Sequence, residues 1–114
     1  MLLQELIKRQ KDFDDKHSGN FNWSEKISDN NICLLEHLLV AMMGEVGETA
    51  NIIKKIIRGD VLLDDVKLSL EEEIADMFIY IMKMSYQLDI DLEKAFLSKL
   101  EKNKSRFKCY EHHD

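Results

Sequence analysis

Apolar residues recur at helical spacing through the middle of the chain. One set that shares a helical face comprises Leu34, Leu38, Ala41, Ile52 and Ile56. A second set follows it and comprises Val66, Leu70, Met77, Met84 and Leu88. Spacings of three, four and multiples of seven residues are typical of an amphipathic α-helix that buries one face. The pattern therefore predicts two long helices that pack through these faces.

Start and stop signals divide the chain into four predicted helices. The first, second and fourth are expected at about residues 2–16, 32–58 and 92–107. The third begins after a cap at Asp64 or Asp65 and runs to about residue 87. Gly59 is a natural stop for the second helix, and Asp91 can cap the fourth. We therefore expect an all-α fold, a four-helix bundle around a central antiparallel helical hairpin.

The length of 114 residues suits one hydrophobic core, so we expect a single domain over residues 1–114. The polar segment 17–31 is predicted as a long loop, and residues 108–114 as a frayed tail. No apolar run reaches the length of a membrane span, and the first residues show no secretory signal, so the expected location is cytoplasmic. The net charge of −6 argues against binding nucleic acid through a basic surface.

Acidic residues interrupt both apolar faces. Glu45 and Glu48 take two positions of the first face, while Glu73 takes one of the second and Asp76 lies one turn later. In an antiparallel hairpin that turns at residues 60–61, Glu45 faces Asp76 and Glu48 faces Glu73. A buried carboxylate is costly unless a cation or donor meets it, and four carboxylates together repel one another. The simplest explanation is a bound divalent metal.

The ligand set indicates the kind of metal and of chemistry. Oxygen ligands alone favour a hard cation, Mg²⁺ first and Mn²⁺ second. Magnesium sites usually keep open positions for water and substrate phosphates, which suggests phosphoryl chemistry. Lys99, Asn103 and Arg106 share a face of the fourth predicted helix and suit phosphate oxygens, and Lys55 adds a further positive charge. The alternative interpretation of this basic face is ordinary solvent-facing charge.

Three segments resemble the MazG-like all-α nucleoside triphosphate pyrophosphatases, near their dCTP pyrophosphatase branch. They are Gly-Glu-Val-Gly-Glu at 44–48, Glu-Ile-Ala-Asp at 73–76 and the basic run at 99–107. The similarity covers residues 34–107, the recognisable core of the domain. It implies Mg²⁺-dependent hydrolysis of the α–β phosphoanhydride of an NTP or dNTP, with the monophosphate and pyrophosphate as products.

The same resemblance implies roles for individual residues. It identifies the metal ligands as Glu45, Glu48, Glu73 and Asp76. The residues that it places near the substrate are Tyr80, Lys99, Asn103 and Arg106. Either Glu45 or Glu48 is then the carboxylate that takes the proton of the attacking water.

Two positions depart from the family pattern. Gly44 stands where many bacterial members have a glutamate, which leaves the number of metal ions open. Lys55 stands where the dCTP pyrophosphatase branch has a tryptophan that stacks on the base. Trp23, in the long loop, is then the candidate for base stacking, and the base preference stays open.

The third predicted helix is apolar almost all round, which one small bundle cannot cover. We therefore expect a homodimer or homotetramer. Two other functions are compatible with the sequence. A phosphoribosyl-ATP pyrophosphohydrolase-like enzyme would share the carboxylates, and a non-catalytic helical interaction module would keep the fold without turnover.

Overall fold

The computed structural model describes residues 2–20, 22 and 24–112 of the chain. Four α-helices span Leu3–Lys16 (α1), Cys33–Ile57 (α2), Leu63–Gln87 (α3) and Leu92–Arg106 (α4). Short 3-10 helices cover Asp29–Asn31 and Lys108–Tyr110, and the described residues contain no β-strand. The predicted all-α fold is confirmed, with helix ends within about two residues of expectation.

Two smaller points concern the ends of the chain and the membrane. The segment predicted as a frayed tail begins with the 3-10 helix Lys108–Tyr110, and residues 113–114 lie outside the described part. Within the described residues, no helix combines the length and the apolar content that crossing a bilayer requires.

The predicted antiparallel hairpin is formed by α2 and α3. Each helix has 25 residues, and their mutual packing is the most extensive between any two elements. Gly59 begins the turn between them with a φ of 83°, a left-handed conformation that suits glycine. Leu38 of α2 is completely buried, and the other apolar residues of its predicted face are half-buried. The hairpin therefore fixes which side chains of α2 and α3 meet.

The helix starts differ from expectation in one respect. Asp91 caps α4 as predicted, because its carboxylate accepts a hydrogen bond from the Lys94 backbone N–H at 3.1 Å. The predicted cap of α3 is wrong, because the helix begins earlier and neither Asp64 nor Asp65 is its N-cap. Asp65 instead accepts the backbone N–H of Leu62 at 2.9 Å from within the first turn. Both aspartates still favour this helix end, where the helix dipole is positive.

A buried polar network joins α1 to α3. Asp14 is 2% exposed, and its carboxylate accepts hydrogen bonds from Gln10 Nε2 at 2.9 Å and from the Tyr86 hydroxyl. The Nζ of Lys83 lies 3.4 Å from Asp14 Oδ1. Burial and the hydrogen bond to Asp14 raise the pKa of Tyr86, so its hydroxyl keeps its proton and remains a donor. The buried carboxylate thus has donors from two helices, which its burial requires.

The fourth helix extends away from the hairpin. Its packing against α2 and α3 is slight, and many large apolar side chains of α3 and α4 remain exposed, among them Ile74, Phe78, Ile81, Phe96, Leu97 and Leu100. The radius of gyration is 17.7 Å, against roughly 13 Å for a compact chain of this length. The accessible surface is 8933 Å², against roughly 6,500 Å² for a folded monomer of this mass. A single chain therefore exposes an unusually large apolar surface.

Replacing Tyr86 with phenylalanine tests the buried network. Tyr86→Phe should lower the free energy of unfolding by about 1–3 kcal/mol, because Asp14 stays buried with one donor fewer. Urea denaturation followed by circular dichroism measures the change. Tyr110→Phe is the matched control, since Tyr110 is 72% exposed and its replacement should leave stability unchanged. Equal stability of the two variants would show that the Tyr86 hydroxyl does not support the fold.

Candidate metal centre

The hairpin brings three predicted metal ligands together. Glu45 comes from α2, and Glu73 and Asp76 come from adjacent turns of α3. One carboxylate oxygen of each lies within 4.8 Å of the others, and all three residues are half-buried. The i, i+3 spacing on α3 places Glu73 and Asp76 on one face, and antiparallel packing places Glu45 opposite them.

Bringing these carboxylates together changes the pKa of Glu73. Its hydrogen bond with Glu45, its burial and the neighbouring Glu48 raise the pKa of Glu73 from 4.5 to about 7. Among the described residues, its buried Oε2 has no hydrogen-bond partner. A carboxylate with these properties is stabilised either by a proton shared with its neighbour or by a cation.

Glu48 occupies the edge of the cluster. Its side chain is exposed, yet it lies close enough to Glu73 to help raise the pKa of that residue. It is not among the three residues whose oxygens converge. The sequence predicted four metal ligands; the structure groups Glu45, Glu73 and Asp76 most closely and places Glu48 beside Glu73.

The donor set fits a divalent cation. The three carboxylates supply oxygen ligands and negative charge, which suits Mg²⁺ or Mn²⁺. Three protein ligands would also leave coordination positions of the cation for water or phosphate. The unpartnered Oε2 of Glu73 is the kind of buried acceptor that a cation would satisfy. Glu45, Glu73 and Asp76 are therefore the residues that could hold the ion, with Glu48 at its edge.

Tyr80 lies next to this cluster. Burial, together with the charges of Glu45 and Asp76, raises the pKa of its hydroxyl. The hydroxyl is therefore protonated at neutral pH and can donate a hydrogen bond beside the carboxylates. Tyr80 is thus a predicted substrate contact that lies beside the acidic cluster within the same chain.

The other predicted substrate contacts are on α4, near the end of α2 and at position 23. Lys99 and Arg106 are exposed on α4, and Asn103 is half-buried there. In the described structure, no ion pair or hydrogen bond joins these three residues to the acids. Lys55 is exposed near the end of α2. Trp23 lies outside the described residues.

The buried polar residues of the α1–α3 interface were not identified from the sequence. Asp14, Lys83 and Gln87 are all at most 9% exposed. A signal was present, because Lys83 and Gln87 continue the helical spacing of Asp76 and Tyr80 along α3. It was obscured because lysine and glutamine at such positions usually face solvent.

Comparison with known proteins places the chain in a family. The MazG nucleotide pyrophosphohydrolase domain matches residues 35–110. The dCTP pyrophosphatase 1 of Homo sapiens is 31% identical over 78 residues, which cover 65% of this chain and 46% of that protein. The Rattus norvegicus protein of the same name is 29% identical over 75 residues, covering 62% and 44%. Gene 37 protein of Mycobacterium phage L5 is 32% identical over 74 residues, covering 63% and 65%.

The domain match extends from α2 to the last 3-10 helix and contains all four acids of the cluster. The chain therefore belongs to the MazG nucleotide pyrophosphohydrolase family. The aligned regions span less than half the length of the two mammalian relatives. No solved structure gives a significant match to the chain.

The raised pKa of Glu73 predicts a pH dependence of stability in the absence of metal. The folded state binds this proton more tightly, with a pKa of about 7 against 4.5 for the ordinary side chain. The proton therefore stabilises the folded state fully below about pH 4.5, and this contribution is lost as the pH rises through about 7. Melting temperatures in EDTA should fall across that range, and Mg²⁺ should restore stability at the alkaline end.

Matched variants assign this effect to the cluster. Glu73→Gln should remove its contribution to the slope, because glutamine does not titrate. Glu71→Gln, at an exposed position on the same helix, should keep the wild-type slope. A slope that is unchanged in Glu73→Gln would show that Glu73 does not titrate near neutral pH.

Proposed function

We propose that this chain is a Mg²⁺-dependent nucleoside triphosphate pyrophosphohydrolase. It cleaves the α–β phosphoanhydride of an NTP or dNTP and releases the monophosphate and pyrophosphate. The observation that supports this most directly is the convergence of Glu45, Glu73 and Asp76 inside the segment that matches the MazG domain. The nucleotide pools of the cytoplasm contain such substrates, and we propose that location.

The acids divide into two roles. Glu45, Glu73 and Asp76 would hold Mg²⁺, which Mn²⁺ could replace. When bound, the cation would offset the charge of the phosphate chain and lower the pKa of a nearby water. Glu48 is exposed at the edge of the group, and its carboxylate would take a proton from that water. Glu45 is the alternative base, although ligation would lower its basicity.

Tyr80 provides a neutral donor to the same region. Its hydroxyl keeps its proton because burial and the neighbouring carboxylates raise its pKa. It would donate a hydrogen bond to a phosphate oxygen without adding positive charge. Attack at the α phosphorus follows from the family pattern rather than from the geometry of the acids.

We propose further that the active form is a homodimer or homotetramer. The accessible surface exceeds that of a typical monomer of this mass by roughly 2,400 Å². Burial of this excess from each of two chains would give an interface typical of obligate homodimers, about 2,000–5,000 Å² in total. The exposed apolar side chains of α3 and α4 would supply its core.

A second chain would also supply the positive groups that a triphosphate needs. α4 carries five basic and two acidic residues, while the cluster on the hairpin is acidic. Because α4 hardly contacts the hairpin of its own chain, it is available to lie across the cluster of a partner. Lys99, Asn103 and Arg106 would then meet the phosphate chain opposite the carboxylates.

Product analysis tests the proposed reaction. With Mg²⁺ and a panel of NTPs and dNTPs that begins with dCTP, ion-exchange chromatography should show the monophosphate and pyrophosphate. Orthophosphate should appear only after inorganic pyrophosphatase is added. Asp76→Asn should reduce turnover by on the order of a hundredfold or more, and exposed Glu71→Gln should leave it near wild type.

Other products would support other functions. Release of orthophosphate with a nucleoside diphosphate would show that a different bond is cleaved. Turnover of phosphoribosyl-ATP alone would favour the related enzyme that shares these carboxylates. Absence of any Mg²⁺-dependent turnover across the panel would favour a non-catalytic helical module.

A mixing experiment tests the site shared between chains. Asp76→Asn and Lys99→Ala should each be nearly inactive alone, because each damages every site. After joint refolding, about a quarter of the sites would combine intact acids from one chain with an intact α4 from the other. Activity should therefore rise to about a quarter of wild type. Failure of the mixture to exceed the two variants measured separately would show that each site uses the α4 of its own chain.

A further inference from the structure

A continuous polar stripe runs along α3 from the metal centre to the α1 interface. Its members recur at alternating intervals of three and four residues, and they are Glu73, Asp76, Tyr80, Lys83 and Gln87. The first three are half-buried and the last two are buried. At its far end, Gln87 Nε2 donates to the carbonyl of Glu25 at 2.8 Å. The stripe thus connects the carboxylate cluster to α1 and to the segment that contains Glu25.

Within this stripe, Lys83 contacts both the α1 interface and Tyr80. On one side its Nζ lies 3.4 Å from Asp14 Oδ1 on α1. On the other side the same Nζ lies 5.4 Å from the centroid of the Tyr80 ring, within the range of a cation–π contact. The ammonium therefore contacts a buried anion and the aromatic ring beside the cluster at the same time.

The anion that holds Lys83 is itself held in place. Asp14 receives hydrogen bonds from Gln10 of its own helix and from the Tyr86 hydroxyl of α3. An ammonium on a four-carbon stem has many rotamers, and a fixed carboxylate limits them. Because both charges are shielded from water, their attraction is stronger than that of an exposed pair.

We propose that Lys83 is a positioning residue: together with Asp14 it fixes the ring of Tyr80, so that the Tyr80 hydroxyl is held at the carboxylate cluster. The position of the Tyr80 ring depends only on side chains that the structure describes. The effect of Lys83 on turnover rests on the proposed function. A purely structural ion pair would join α1 to α3 without affecting Tyr80, and the following tests separate these two roles.

Fluorine NMR reports the position of Tyr80 without any turnover. The chain has three tyrosines, so 3-fluorotyrosine labelling gives a simple spectrum that Tyr→Phe variants assign. Lys83→Met and Asp14→Asn should move the Tyr80 signal toward its value in the unfolded protein, while Lys83→Arg, which keeps the cation, should leave it near wild type. Titration with MnCl₂ should broaden the Tyr80 signal strongly in wild type and less in Lys83→Met.

Kinetics provide the second readout. Lys83→Met should lower kcat/KM by on the order of tenfold, as expected when one desolvated cation–π contact is lost. In a Tyr80→Phe background the same change should cost less than about twofold, because the hydroxyl that Lys83 positions is already absent. Lys8→Met, which breaks the exposed Lys8–Asp12 pair of α1, is the matched control and should change neither readout.

Removing one partner of a buried ion pair destabilises a protein, so the double variant Asp14→Asn/Lys83→Met is measured as well. It removes both charges and should show the same Tyr80 displacement as the single variants. A Tyr80 signal that is unchanged in this folded double variant overturns the proposal, as do effects of Lys83→Met and Tyr80→Phe that multiply independently. If the wild type hydrolyses no triphosphate, the proposed function fails while the fluorine spectra still decide the positioning of Tyr80.

Discussion

The packing of α2 against α3 forces like charges together, and much of the molecule depends on that constraint. The apolar faces that bury Leu38 also bring Glu45 opposite Glu73 and Asp76. The hydrogen bond with Glu45, burial and the neighbouring Glu48 raise the pKa of Glu73, and the Oε2 of Glu73 has no hydrogen-bond partner among the described residues. A cation bound among these carboxylates would offset their charge and would thereby also stabilise the hairpin.

Buried polar side chains make up much of the small core and determine how α1 packs on α3. Only Leu38 and Met82 are buried hydrophobic residues in the described chain, whereas Asp14, Lys83, Ser85 and Gln87 are buried as well. Hydrogen bonds and ion pairs are more directional than apolar contacts, so they fix the register of α1 on α3. In the role that we propose for Lys83, this interface also positions Tyr80 beside the acidic cluster.

The chain is extended because α4 points away from the hairpin. The acidic cluster lies on the hairpin, whereas the basic face with Lys99 and Arg106 lies on α4, which packs only slightly against the hairpin. Large apolar side chains of α3 and α4 remain exposed on the single chain.

The sequence by itself determined the helices, the hairpin and the grouping of acids, because helical periodicity and turn residues are local. Glu45 and Glu73 occupy gaps in regular apolar faces, and Asp76 lies one turn after Glu73. The sequence also carried the family motifs. Only the tertiary structure joined Asp14 to Lys83, since their pairing spans two helices far apart in the chain. The position of α4 was likewise undecided, because the apolar face of an amphipathic helix packs equally well on its own chain or on another.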